Sequence, residues 1–217
     1  MNARHLLIAA ASVVALSPAV SHADAAPADD RAVVFSPMAG FAFTAGGEPL
    51  VHLIIINQNT GAYMGSTAVK AGGQDYLYLG GELRFRQAHM ALQGTAGYHW
   101  DSKSGIGTDV TFSRVPFELI GLYQPLDWLR VGGGVRYDTR VHMNGKGNAS
   151  DPVYQQEYAN AFGPVLKVEW LALPDTGIYL RWSKVNYKLR TVGGEDASFL
   201  DVKQDGRSFG MGVDLHF

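Results

Sequence analysis

Seven ionisable residues stand out along a series of alternating segments: Glu82, Glu118, Lys167, Arg181 and Asp214 fall at similar depth, with Arg84 and Arg130 close by. Acids and bases confined to one narrow space neutralise each other, because an ion left alone there carries a heavy desolvation cost. The chemistry expected of them is mutual pairing that fills the space with salt bridges. A narrow ion path opened by rearranging those pairs is the alternative.

Nucleophilic chemistry needs a hydroxyl and a base on one surface. The nearest approach is His99-Trp100-Asp101-Ser102, where alternation turns His99 and Asp101 one way and Ser102 the other. His142 has no sequence-near partner, and His52 and His89 are spaced for no metal cluster. The segments 101–109 and 144–151 hold scattered oxygen ligands without the ordered spacing of a calcium loop. Residues 61–67 hold glycines and Ser66-Thr67 but no lysine after the second glycine, so no phosphate-binding loop is present. No catalytic residue, cofactor or metal site is assigned from the sequence.

The elements that must position the ionic set are strands. Phe209, Met211, Val213, Leu215 and Phe217 alternate with Ser208, Gly210, Gly212, Asp214 and His216, a period of two held for ten residues. Leu77 to Phe85, Leu92 to Trp100, Val115 to Tyr123, Leu129 to Tyr137, Phe162 to Trp170 and Ile178 to Trp182 repeat it. In each, one face is apolar or small and the other carries polar residues. After Ser183 a phase slip is expected before Val185, Tyr187 and Leu189, as at a bulge or where a strand leaves a membrane. The first strand, about Val33 to Thr44, is less regular. Connections alternate in length: 87–89, 125–127 and 174–176 are short, whereas 101–108, 141–157 and 191–205 are longer and rich in Gly, Asn, Asp and Ser.

Short turns at one end, long loops at the other and aromatic residues near strand ends (Tyr98, Trp100, Tyr123, Trp128, Trp170, Trp182, Phe217) describe a strand barrel in a membrane. The expected fold is an all-β, antiparallel, transmembrane up-and-down barrel. It has eight strands if 50–58 and 62–70 form a projecting hairpin, and ten if both span. The unbroken run Leu53 to Ile56 fits neither face rule, which favours eight. A soluble sandwich or ligand-binding barrel would carry the same alternation with its apolar face inward.

Residues 1–25 form a processing segment: Arg4 and His5, an apolar run from Leu6 to Leu16, Pro18, and small residues around Ala23 or Ala25, where cleavage is expected. Residues 26–217 then form one barrel domain. The net charge of −2 without a dense basic run excludes a nucleic-acid partner. With no cysteines, an exported chain must be held by a core or a closed sheet.

The ending Met211-Gly212-Val213-Asp214-Leu215-His216-Phe217 resembles that of the small outer-membrane barrels, a superfamily including the OmpA transmembrane domain, OmpX and the opacity proteins. That resemblance covers nearly the whole mature chain. It implies location in a cell outer membrane, and contact with outer-membrane lipid and lipopolysaccharide. It also implies an assembly signal read by the outer-membrane assembly machinery, carried here by Phe209, Met211, Val213, Leu215 and Phe217. The expected role is non-enzymatic, envelope-structural or surface-interacting through extracellular loops, with no ligand specified. A lipid-modifying enzyme and a narrow channel gated by lumen salt bridges are the alternatives.

Overall fold

The computed structural model describes residues 32–57, 60–105, 108–147 and 154–217. The amino-terminal segment read as a signal peptide lies outside the described residues. The chain opens with β1 (Val33–Ala45), then β2 (Pro49–Ile56), β3 (Tyr63–Lys70) and β4 (Asp75–Phe85). β5 (Met90–Gly105), β6 (Thr108–Leu126) and β7 (Leu129–Gly147) follow, and a short β8 (Gln156–Tyr158) precedes β9 (Ala161–Leu173). The remainder comprises β10 (Thr176–Ser183), β11 (Asn186–Val192), β12 (Glu195–Asp196), β13 (Lys203–Asp205) and β14 (Ser208–His216).

Eight of these close a ring in the order β1-β4-β5-β6-β7-β9-β10-β14, with β14 returning antiparallel to β1. Closure leaves no edge with unpaired backbone groups, which is what a bilayer core demands. Among the described residues β2 and β3 pair only with each other, as a projecting hairpin, so the barrel has eight strands.

The ring is polar inside and apolar outside. Glu82, Glu169 and Asp214 are wholly buried, whereas their sequence neighbours Leu83, Val168 and Val213 are exposed. A soluble barrel would reverse this assignment, so the fold is of the membrane type. β1 obeys the same alternation, with Met38, Gly40, Ala42 and Thr44 inward and Phe41 and Phe43 outward. It looks irregular in sequence because its inward residues are small or apolar: they lie beneath tyrosines, as described below.

Above the girdle the polarity inverts. On β6 the outward residues Tyr123, Leu119 and Phe117 give way to Thr111 and Asp109, while the inward Arg114 and Glu118 give way to Val110 and Phe112. Such a strand is an ordinary half-buried one in water. It follows that 101–105 and 141–147, expected as loops, are continuations of β5 and β7. Their polar composition marks one exposed face of a sheet. The same inversion corrects the phase slip after Ser183. Inward positions stay odd-numbered from Tyr179 through Arg181, Ser183, Val185 and Tyr187 to Leu189. The side chains keep their alternation and only the solvent outside them changes.

The inward apolar residues of this upper part form their own core. Leu53, Val69, Val110, Phe112, Val141, Met143, Tyr158, Val185, Tyr187 and Leu189 pack together over the lumen. Of the hairpin's apolar run, Leu53 enters this core while Ile54 and Ile55 face outward.

One irregularity steers β7 into this roof. Its inward positions are even-numbered up to Asp138 and odd-numbered from Val141. Thr139 and Arg140 absorb the extra residue, the register on β6 shifts between Ser113 and Val115, and Arg140 takes the left-handed conformation at φ 50°. A side chain costs about 1–2 kcal/mol there. Arg140→Gly is therefore expected to raise stability by about 1 kcal/mol and Arg140→Val to lower it. The midpoint of urea unfolding of the folded barrel measures both.

Candidate functional site

The lumen is filled in layers. In the layer nearest the short turns, Arg130 contacts Glu82 and Glu169, each at 2.7 Å. Arg84 pairs with Glu82, Lys167 pairs with Asp214, and Gln93 bridges Glu82 to Lys167. Three cations (Arg84, Arg130, Lys167) thus face three carboxylates (Glu82, Glu169, Asp214). The sum is neutral, as burial requires.

Glu169, Asp214 and His216 also lie close enough together to share a metal ion. Arg130 and Lys167 already neutralise both carboxylates, which leaves a cation little to gain there.

A tyrosine layer sits above. Tyr78 donates to Asp214, and the Tyr78 and Tyr179 hydroxyls hydrogen-bond at 2.8 Å. Each ring lies across the glycine facing it on the next strand. A Cβ at Gly40 would stand 2.1 Å from the Tyr78 ring, and one at Gly212 would stand 2.5 Å from the Tyr179 ring. Glycine is needed at both sites for close approach. A cavity of about 10 Å³ lies among Tyr78, Thr95, Glu118, Lys167, Tyr179 and Arg181, room for one water.

The next layer is centred on arginine. Arg181 and Arg136 both donate to Glu118, and Arg136 also donates to Asp138 at 2.7 Å. Arg114 approaches Asp138 at 3.6 Å and lies over the rings of Phe112 and Tyr187. Three guanidinium groups (Arg114, Arg136, Arg181) face two carboxylates (Glu118, Asp138), and aromatic faces stabilise the remaining cation. His99 joins this layer to β1. Its Nδ1 lies 2.9 Å from donors on Arg114 and Arg136, so that nitrogen accepts, and Nε2 donates to Thr44 Oγ1 at 2.8 Å.

The seven residues singled out in the sequence therefore line the lumen at two levels. Glu82, Arg84, Arg130, Lys167 and Asp214 lie below the tyrosines, and Glu118 and Arg181 lie above. Counting residues from the short turns put them at one depth, but strands that tilt and stagger do not share a scale of depth. Glu169, Arg136, Asp138 and Arg114 belong to the same layers. Alternation already set them on the polar face, and only the depth estimate left them out. Phe209, Met211, Val213, Leu215 and Phe217 all point outward, and the Phe217 amide donates to Pro37 O on β1.

One contact between strands, invisible in the sequence, bears on catalysis. Ser113 Oγ and His142 Nε2 lie 3.0 Å apart on neighbouring strands, with Nδ1 held 2.8 Å from Arg140 O. This is the geometry of a nucleophile and base, with Ser113 only 1% exposed on the lining of an open groove and the imidazole Nδ1 on a backbone carbonyl where a triad has a carboxylate. The pair ties β6 to β7 beside the bulge. Ser102, turned away from His99 as alternation required, hydrogen-bonds Thr111 at 2.7 Å. On the exposed flank, a hydrogen bond from Lys188 holds the Asp201 carboxyl below the usual carboxylate range.

Removing one member of a buried ion pair strands the other. Lys167→Met is expected to destabilise the barrel by about 3–5 kcal/mol, and Lys167→Met with Asp214→Leu to recover most of that loss. Ser113→Ala is expected to cost only about 1 kcal/mol. Urea unfolding of the four proteins, wild type included, checks all three values.

No family model matches this chain, and no curated protein matches it. Among solved structures it is similar to Neisserial surface protein A, with 12% identity, 86% of this chain and 100% of that one covered, and a TM-score of 0.47. It is also similar to Ail, the attachment invasion locus protein of Yersinia pestis, in complex with the heparin analogue sucrose octasulfate (10% identity, 84% and 97% covered, TM-score 0.43). A third is the outer membrane protein OprG from Pseudomonas aeruginosa (14% identity, 84% and 95% covered, TM-score 0.39). These matches fall within the small outer-membrane barrels that the terminal strand resembles, and the architecture of this chain stands on its own ring of eight antiparallel strands.

Proposed function

We propose that this chain is a non-enzymatic outer-membrane protein whose barrel is a closed anchor and whose roofed extracellular sheet is the working surface. The observation that carries this reading is the roof. Thirteen buried residues form an apolar core above the lumen, built from the hairpin, β6 to β9, β11 and the turns beside them. A chain whose only task was to hold itself in a membrane has no use for a second core outside it. Such a core fixes the shape of a surface, which suits an envelope-structural or surface-interaction role.

The channel alternative is disfavoured by the same packing. Ions would have to cross a neutralised charge layer, a tyrosine layer and an apolar core in turn. The lipid-modifying alternative is disfavoured at the Ser113–His142 pair, where a backbone carbonyl stands in place of the carboxylate that orients a catalytic histidine. The outward row from Phe209 to Phe217 is proposed to serve the assembly machinery.

Three measurements test this reading. A membrane-impermeant maleimide on intact cells is expected to label Phe199→Cys, on the long-loop side, and to reach Asp175→Cys only after the outer membrane is opened. Labelling in the reverse order contradicts the orientation. Planar bilayers are expected to stay silent with wild type and with Arg181→Ala, and reproducible conductance steps contradict a closed anchor. Deleting Phe217 is expected to reduce the folded, heat-modifiable fraction in the outer membrane, and an unchanged fraction contradicts its assembly role.

A further inference from the structure

The hairpin of β2 and β3 leaves both of its edges open. From Leu50 to Ile56 and from Tyr63 to Val69, no backbone hydrogen bond leaves the hairpin among the described residues. The hairpin climbs along β5. At its base the Lys70 amide donates to Asp101 Oδ2 at 2.8 Å, and further up Ile54 O lies 4.0 Å from where a Cβ on Gly105 would stand. Gly105 is the last residue of β5, so the hairpin tip runs on past the top of that strand. The roof core stops at Leu53. Beyond it Ile54 and Ile55 are 65% and 36% exposed, and Tyr63 and Met64 on the returning strand are 68% and 66% exposed.

An open strand edge is a template for another strand, and proteins guard such edges with charges, prolines or bulges. Here a bulge at Met64 interrupts β3, whereas β2 keeps a regular register from Val51 to Ile55. No Asp, Glu, Lys or Arg occurs between Glu48 and Lys70. The β2 edge is therefore unguarded along its exposed half. Its amides and carbonyls are satisfied by water or by the backbone of a second extended strand, and only the strand would also cover the isoleucines.

Charge and direction indicate which strand that is. An uncharged edge has nothing to select a charged partner and nothing to repel its own copy. Rotated about a two-fold axis, a strand edge meets itself antiparallel, each donor facing an acceptor. Copies in one membrane all point the same way and present parallel edges. Copies in two facing membranes present antiparallel ones. A two-stranded hairpin is marginal alone, and pairing would make it four-stranded. Many weak pairings across one area of contact then add up.

We propose that the β2 edge is a homophilic contact, pairing antiparallel with the same edge of a second copy on a facing cell. The proposal rests on the outer-membrane reading above and names a partner for the exposed surface.

The test uses cells that display the full chain, mixed as two dye-labelled populations. Wild-type cells are expected to clump with wild-type cells and not with cells lacking the protein. Ile54→Lys and Ile54→Glu, which leave the roof core untouched, are each expected to reduce clumping about tenfold at equal amounts of heat-modifiable barrel. Mixing the Lys and Glu populations is expected to restore it, because opposite charges then face each other across the paired edges. His52→Lys and His52→Glu, at an exposed position on the same strand, serve if the Ile54 variants do not fold. Clumping of wild type with cells that lack the protein overturns the proposal and assigns the surface a different partner. Unchanged clumping by the single variants, or no restoration in the mixture, overturns it as well. Folded wild-type barrels that never clump their cells overturn the proposal alone. Absence of a heat-modifiable form from the outer membrane overturns the outer-membrane reading, and the proposal with it.

Discussion

Charged side chains inside a ring of eight strands have no bulk water to turn to. The interior of such a ring is just wide enough for side chains to fill. Every ion placed there must find a counter-ion or an aromatic face, and the rest of the structure follows from this. Glu82, Arg130 and Glu169 form one continuous chain of pairs, and Arg181, Glu118, Arg136 and Asp138 form another. The two chains tie together strands far apart in sequence, so they fix which strands meet as well as filling space. Their glycines are part of the same arrangement. Gly40 and Gly212 exist so that tyrosines can lie flat between the charge layers.

The second organising fact is that the solvent outside the wall changes partway up each long strand. Below the girdle, lipid requires apolar residues outward. Above it, water requires polar residues outward, and the interior becomes the place for Phe112, Met143 and Tyr187. The strands pass through this boundary without breaking. The bulge at Thr139 and Arg140 adjusts the pleat of β7 at the boundary, and the Ser113–His142 bond fastens the bulged strand to its neighbour.

Much of the barrel was legible in the sequence because period-two alternation survives any amount of strand tilt. Spacing alone set Glu82 and Leu83, and Asp214 and Val213, on opposite faces, and the membrane reading then turned the charged face inward, where the structure has it. What the sequence hid has three physical causes. Depth could not be counted from the turns, which placed Glu118 and Arg181 at the level of Asp214 and left Arg136 and Glu169 out of the network. Polarity was taken to mean one thing along the whole chain, which turned Asp101 to Gly105 and Val141 to Gly147 into loops. Contacts between strands carry no local signal, so His142 looked isolated although Ser113 lies across from it, 29 positions away.

The most direct test of this account is cysteine accessibility along β6, in a chain that has no native cysteine to interfere. Single cysteines at Asp109, Val110, Thr111, Phe117, Leu119 and Ile120 in the membrane-embedded protein would be exposed to a charged, water-soluble maleimide. Labelling is expected at 109 and 111 alone, since 110 points into the roof core, 117 and 119 face lipid and 120 faces a packed lumen. Rapid labelling at 120 would reveal an aqueous interior, and labelling at 117 and 119 equal to that at 111 would show that no change of solvent occurs along the strand.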